Sequence, residues 1–156
     1  MQLIPEEYGV LPIDLERPIE ESALMDRKIR VMLVDDSRDV IEPLSYLIGI
    51  EGDMECVGLL ESADDLGERV RDLSPDVLLI DARMPGRDSL EAIRELASQL
   101  PEIRSVVYSG FDDRELIDSA VDASAWGWIR KGDDPALLLK AIRSVAAGKV
   151  VFPRFG

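Results

Sequence analysis

The sequence has no histidine and a single cysteine, Cys56, in 156 residues. Without histidine there is no imidazole base, no histidine metal ligand and no phosphohistidine carrier within the chain. One cysteine excludes an internal disulfide and fits a reducing, cytoplasmic setting. Basic residues are also scarce, 18 Lys+Arg against 32 Asp+Glu, a formal charge of −14. That balance argues against nucleic-acid binding by this chain itself, because such affinity rests on clustered Lys and Arg. No apolar run is long enough to span a membrane, and Met1 to Asp26 lacks the basic start and apolar stretch of a signal peptide. What remains is a composition of 46% hydrophobic and 32% charged residues, that of a folded domain rather than a disordered chain.

The first 27 residues read as an extended or mobile acidic leader. Pro5, Pro12 and Pro18 recur there among Glu6, Glu7, Asp14, Glu16, Glu20 and Glu21, without a sustained period. From Lys28 to Gly148 a rhythm sets in, followed by a short tail over 149–156. Apolar runs at Arg30–Val34, Met54–Gly58, Val77–Ile80, Val106–Tyr108 and Trp126–Ile129 alternate with amphipathic stretches. Runs without polar alternation predict strands buried on both faces, as in a parallel sheet. The fold class is therefore α/β, a doubly wound (βα)5 unit with helices on both faces.

Local signals mark the helices. Asp88 and Glu91 have capping-box spacing, followed by Ile93, Leu96, Ala97 and Leu100. The last helix has Asp133 or Asp134 as a cap, Pro135 in its first turn, Leu138, Ala141, Ile142 and Val145 on one face, and Gly148 as its stop. Ser37 could cap the first helix, but Pro43 predicts that this helix either starts late, near Val40, or is kinked. The stretch Asp112 to Asp122 has few apolar residues and is expected to be the least firmly held helix. Cys56 reads as a small buried hydrophobe. Trp126 and Trp128, two apart, are expected to share a strand face opposite Lys131.

Ligands in such folds bind beyond the carboxyl ends of the strands. Strand one ends in Asp35-Asp36, strand three in Asp81, strand four in Ser109-Gly110 and strand five in Lys131. Each residue alone has an ordinary reading as a turn former, helix cap or solvated charge. Together, three carboxylates need a compensating cation, and a hard, oxygen-seeking Mg²⁺ fits that donor set. Lys131 and the Ser109 hydroxyl supply donors for a phosphoryl group. The chemistry indicated is phosphoryl transfer onto a carboxylate. A haloacid dehalogenase phosphatase also uses Asp, Ser or Thr, and Lys, but needs Asp-x-Asp where this chain has Asp35-Asp36-Ser37.

These residues, with the stretches Val31–Ser37, Pro75–Gly86, Val107–Gly110 and Gly127–Lys131, resemble the receiver domain of bacterial two-component response regulators. The resemblance implies a flavodoxin-like five-stranded sheet of order 2-1-3-4-5. It implies Asp81 as phosphoacceptor and Asp36, Asp81 and the Arg83 backbone carbonyl as Mg²⁺ ligands, with Asp35 joining through water. Ser109 takes the place of the switch hydroxyl, Lys131 that of the phosphoryl-pairing lysine, and Trp128 that of the switch aromatic, usually Tyr or Phe. Pro85-Gly86 matches the turn after the acceptor, and Gly110 the small residue that leaves access for attack. A bulkier indole at 128 is expected to bury less completely. Gly132 stands where many members have proline, and Ser89 where glycine is common.

The resemblance further implies a signalling phosphoacceptor rather than a conventional enzyme, although it can catalyse its own phosphorylation and dephosphorylation. Its partners would be a sensor histidine kinase or phosphotransfer protein, a downstream protein target, and another copy in a phosphorylation-linked homodimer. The eight residues after Gly148 are too short for a DNA-binding module. Yet Ala141–Pro153 is similar to the end of receivers in transcription factors with a LuxR-type helix-turn-helix. A single-domain receiver, the receiver part of such a factor and a phosphorylation-independent binding module all remain open at this point.

Overall fold

Five apolar runs become five parallel strands because each is followed by a helix long enough to cross back over the sheet. The structure, a computed structural model, describes residues 27–110 and 112–154. Its elements are β1 (Ile29–Val34), α1 (Arg38–Gly49), β2 (Met54–Leu60), α2 (Leu66–Leu73), β3 (Val77–Asp81), α3 (Ser89–Gln99), β4 (Arg104–Ser109), α4 (Arg114–Asp122), β5 (Gly127–Arg130) and α5 (Pro135–Ala146). The sheet order is β2-β1-β3-β4-β5, all neighbours parallel. The expected flavodoxin-like order is the one found. The predicted leader, apart from Arg27, lies outside the described residues; Arg27 itself pairs with Asp76.

Alternation along the strands feeds two cores. Val31, Leu33, Val77, Leu79, Val106 and Ile129 face α1 and α5. Met32, Val34, Leu78, Ile80, Val107 and Trp128 face α2, α3 and α4. Each aliphatic side chain so buried contributes about 1.5–3 kcal/mol, which is what holds the carboxyl edge of the sheet in place. β3 is buried throughout, as a two-sided strand should be. β2, at the sheet edge, is mostly half-buried, because only its inner side has a neighbour. Cys56 is accordingly half-buried rather than buried, with Sγ 3.6 Å from the Gly58 carbonyl.

Helix α1 begins at Arg38 and runs through Pro43, so the late start near Val40 is corrected. Pro43 lies on the exposed side, and burial of Ile41, Leu44 and Ile48 on the other side offsets the one missing backbone donor. Ser37 occupies the N-cap without a side-chain capping bond. Caps appear where expected further on: Asp88 accepts from the Leu90 and Glu91 amides, and Asp134 from that of Ala136. Helix α4 buries Ile117 and Ala120, as many residues as α2, which buries Leu66 and Val70, so burial does not single it out as the least firmly held helix.

Two expectations about the tryptophans are corrected. They do not share a face. Trp126 precedes β5, outside its alternation, and packs on the α1/α5 side with the Arg104 guanidinium 4.6 Å from its ring centre. Trp128 packs on the opposite side and is only 1% exposed, so the larger ring is accommodated fully. The tail also has structure. Val151 bridges Gly127 in parallel fashion, its carbonyl accepting from Trp128 N–H at 2.9 Å and its amide donating to the Trp126 carbonyl at 2.9 Å. A Cβ at position 127 would meet the Val151 carbonyl oxygen at 2.8 Å. Glycine is what lets the tail come that close.

Candidate functional site

The acidic cluster forms because β1 and β3 are neighbours and both end in aspartate. Asp35 follows Val34 and Asp81 closes β3, each two residues beyond a leucine that faces α1 and α5. Period-two alternation therefore sends both carboxylates to that same side. Asp35 is 2% and Asp81 8% exposed, while Asp36 is open to solvent. One carboxylate oxygen from each of the three lies within 4.8 Å of the others. All donors are hard oxygens on an open rim, the set that suits a small divalent cation retaining some of its water.

Lys131 closes the cluster from β5. Its Nζ lies 2.7 Å from Asp35 Oδ2 and 3.2 Å from Asp81 Oδ2. Asp35 Oδ2 is fully buried and, among the described residues, has no other hydrogen-bond donor, so the ammonium is its compensation. Asp35 Oδ1 accepts from the Ser37 amide at 2.9 Å, and Asp81 Oδ1 from the Arg83 amide at 3.2 Å. These backbone donors fix both carboxylates while leaving the solvent side open.

Burial pushes the Asp81 carboxyl above its ordinary value, with Asp35 adding to the push and the Arg83 amide and Lys131 working against it. Burial disfavours the charged Lys131 ammonium, but Asp35 and Asp81 outweigh it and raise the lysine. The two shifts describe one arrangement, a half-buried cation shared by two carboxylates.

Ser109 ends β4 and is 1% exposed. Its carbonyl accepts from the Lys131 amide at 2.6 Å, tying the hydroxyl-bearing strand to the lysine. Among the described residues a Cβ at Gly110 would meet nothing within 4 Å. Gly132 has φ +91, which proline cannot adopt, and the chain turns after the lysine by a glycine route instead. The structure thus brings the predicted Asp35, Asp36, Asp81 and Lys131 together, with Ser109 tied to Lys131 through the backbone. Trp128 lies below the edge, on the other side of the sheet. Two features escaped the sequence reading. Arg130 pairs with Asp112 at 2.9 Å and Asp133 at 3.5 Å, joining the loops after β4 and β5. Tyr108, passed over as part of an apolar run, sits with its ring centre 5.7 Å from Lys131 Nζ.

Residues 31–143 match the response regulator receiver domain family. The chain belongs to that family. As a receiver domain it is 34% identical over 125 residues to the uncharacterized transcriptional regulatory protein YxjL of Bacillus subtilis, covering 80% of this chain and 57% of that one. It is 31% identical over 121 residues to the DNA-binding transcriptional activator DevR/DosR of Mycobacterium tuberculosis, covering 78% and 56%. This receiver therefore spans a little over half the length of those relatives. Among solved structures, it is similar to a LuxR-family two-component response regulator from Aurantimonas, with TM-score 0.75, 28% identity, and coverage of 80% of this chain and 89% of that one. The signal receiver domain of the putative response regulator NarL from Mycobacterium tuberculosis matches with TM-score 0.75 and 26% identity, over 79% of this chain and 99% of the other. The comparisons support a receiver of two-component response regulators and give no support to a haloacid dehalogenase phosphatase or a degenerate binding module. Among the described residues no helix is long and apolar enough to cross a membrane.

Proposed function

We propose that Asp81 accepts a phosphoryl group and that the receiver thereby switches a protein-binding surface. The observation that carries this reading is the convergence of three carboxylates within 4.8 Å with the Lys131 ammonium between two of them. The donor set fits Mg²⁺, which Asp35, Asp36, Asp81 and the Arg83 carbonyl would hold. Bound there, the ion would neutralise phosphoryl oxygens. The chain's own part is to hold Asp81 at the open rim, one carboxylate oxygen accepting from the Arg83 amide and the other paired with Lys131.

Asp81 attacks phosphorus, forming a P–O bond as the donor's bond to phosphorus breaks. With no histidine of its own, the receiver takes the group from a separate histidine kinase, a phosphotransfer protein or a small acyl phosphate. In the first two cases the leaving imidazole keeps the electron pair of the broken P–N bond. Lys131 and the Ser109 hydroxyl then pair with phosphoryl oxygens. About two negative charges arrive at the sheet edge, drawing the Ser109 hydroxyl toward the phosphoryl group and biasing α4 and the buried Trp128. The output is a contact with another protein, including a second copy of the domain.

The test is intact mass after incubation with a small acyl phosphate and Mg²⁺, beside Asp81→Asn. One phosphoryl mass gained by the parent, and absent in the variant or without metal, supports the reading. No gain in a folded parent would overturn it.

A further inference from the structure

Lys131 reaches its carboxylates by crossing β4, and the side chain it crosses belongs to Tyr108. β4 lies between β3 and β5 in the sheet. Tyr108 is the register partner of Asp81 on one side and of Ile129 on the other. Laterally paired residues project from the same face, so Tyr108 stands beside Asp81 on the α1/α5 side, where it packs. Lys131 follows Ile129 by two residues and departs from that side too. Its Nζ comes within 5.7 Å of the Tyr108 ring centre while touching Asp35 and Asp81. That separation is inside the roughly 6 Å reach of a cation–π contact. The ring also helps to close a small space lined by Leu33, Asp35, Ile41 and Leu79, so core packing limits its freedom.

We propose that Tyr108 is a positioning residue for phosphoryl transfer, its ring serving as the platform that carries the Lys131 side chain across β4 to Asp81. The inference rests on Asp81 being the acceptor. Lysine is a flexible stem with a compact, strongly hydrated charge, and left unsupported it would spend time turned toward water. An aromatic face beneath it removes those rotamers and favours the ammonium electrostatically. Pre-placing the cation matters because catalytic donors act by position. The ring is the working part and the hydroxyl is dispensable. Phenylalanine therefore preserves the function, whereas an aliphatic side chain does not.

The experiment uses the full chain with a small acyl phosphate and Mg²⁺. Tyr108→Phe is expected within about twofold of the parent rate, and Tyr108→Leu about five- to tenfold slower. In a Lys131→Ala background the same Leu change should cost nothing further, since residues acting through one another are not additive. A Tyr108→Leu rate equal to the parent, or an equal loss with and without Lys131, would overturn the proposal by assigning Tyr108 to packing alone. A second measurement needs no phosphorylation. The Lys131 ε-proton resonances should be shifted upfield by the ring in the parent and in Tyr108→Phe, and should return to ordinary values in Tyr108→Leu, or in Tyr108→Met if the leucine variant fails to fold. Unshifted resonances in the parent would overturn the contact itself. A parent that shows the shift but takes no phosphoryl group would instead sink the assignment of Asp81.

Discussion

Lys131 Nζ sits 2.7 Å from Asp35 Oδ2, closer than the 3.2 Å that separates it from Asp81. In this state the lysine is committed more to the carboxylate expected to order metal-bound water than to the expected acceptor. Cation and ammonium thus compete for the same negative charge. Lys131→Ala is expected to bind Mg²⁺ more tightly, by about threefold or more, and to be phosphorylated about 100-fold more slowly. Metal titration and acyl-phosphate kinetics on the same protein would separate the two effects. Weaker metal binding in the variant would contradict the competition.

Asp81 carries a pH signature of its own. Its carboxyl is raised above the ordinary 3.8 by burial first, with Asp35 adding to it. A carboxyl raised on folding contributes stability that is complete below pH 3.8 and is lost as pH rises through the folded value. At neutral pH the ionised group is therefore a net cost without metal, and Asp81→Asn removes it. The variant should melt a few degrees higher than the metal-free parent at pH 7. The gap should shrink toward zero as the pH falls below 3.8. Thermal scans across that range in a chelating buffer would reveal a gap of the wrong sign.

The opposite sign is expected at Asp53. The Arg143 side chain donates to Asp53 at 2.6 Å and 3.0 Å and to Glu51 at 2.6 Å, linking α5 to the α1–β2 connection. Arg143 holds the Asp53 carboxyl below its ordinary 3.8. A depressed carboxyl gives stability that is present above pH 3.8 and lost as pH falls through the folded value. The pair is solvent-exposed, so Arg143→Gln should cost less than about 1 kcal/mol at neutral pH. It should also return the Asp53 titration, followed by carboxyl NMR, to the ordinary range.

Gly127 is expected to tolerate little. An added Cβ would stand 2.8 Å from the Val151 carbonyl oxygen, which is backbone and cannot swing aside. Gly127→Ala should lower stability by about 1–2 kcal/mol. The amides of Trp128 and Val151 should exchange with solvent faster, since their mutual bridge is displaced. Unchanged exchange at both positions would show that the tail shifts without releasing the strand.

The sheet was legible because its apolar runs are local, and so were the acidic residues, because they terminate those runs. Asp35, Asp81 and Lys131 needed only the rule that sites lie at the carboxyl edge. Tyr108 was not legible, since its place between Asp81 and Ile129 depends on the register of three strands distant in sequence. The tryptophans were misjudged for a smaller reason. β5 starts at Gly127 rather than Trp126, and a strand boundary shifted by one residue moves a side chain out of the alternation. Pro43 misled because propensity counts the lost hydrogen bond and not the three residues buried on the other side of α1.

The bridge between Val151 and the start of β5 also bears on how the molecule behaves in a crowd. An uncovered edge strand offers unpaired ladder groups on which a foreign strand can add, the first step toward fibrils. Here the Trp128 N–H and the Trp126 carbonyl are already occupied by the chain's own residue 151, and β5 is short, only Gly127–Arg130. The protein thus carries its own edge guard at that flank. Cleavage before Val151 would turn a guarded flank into a template for aggregation, even with the two cores and the acidic site intact.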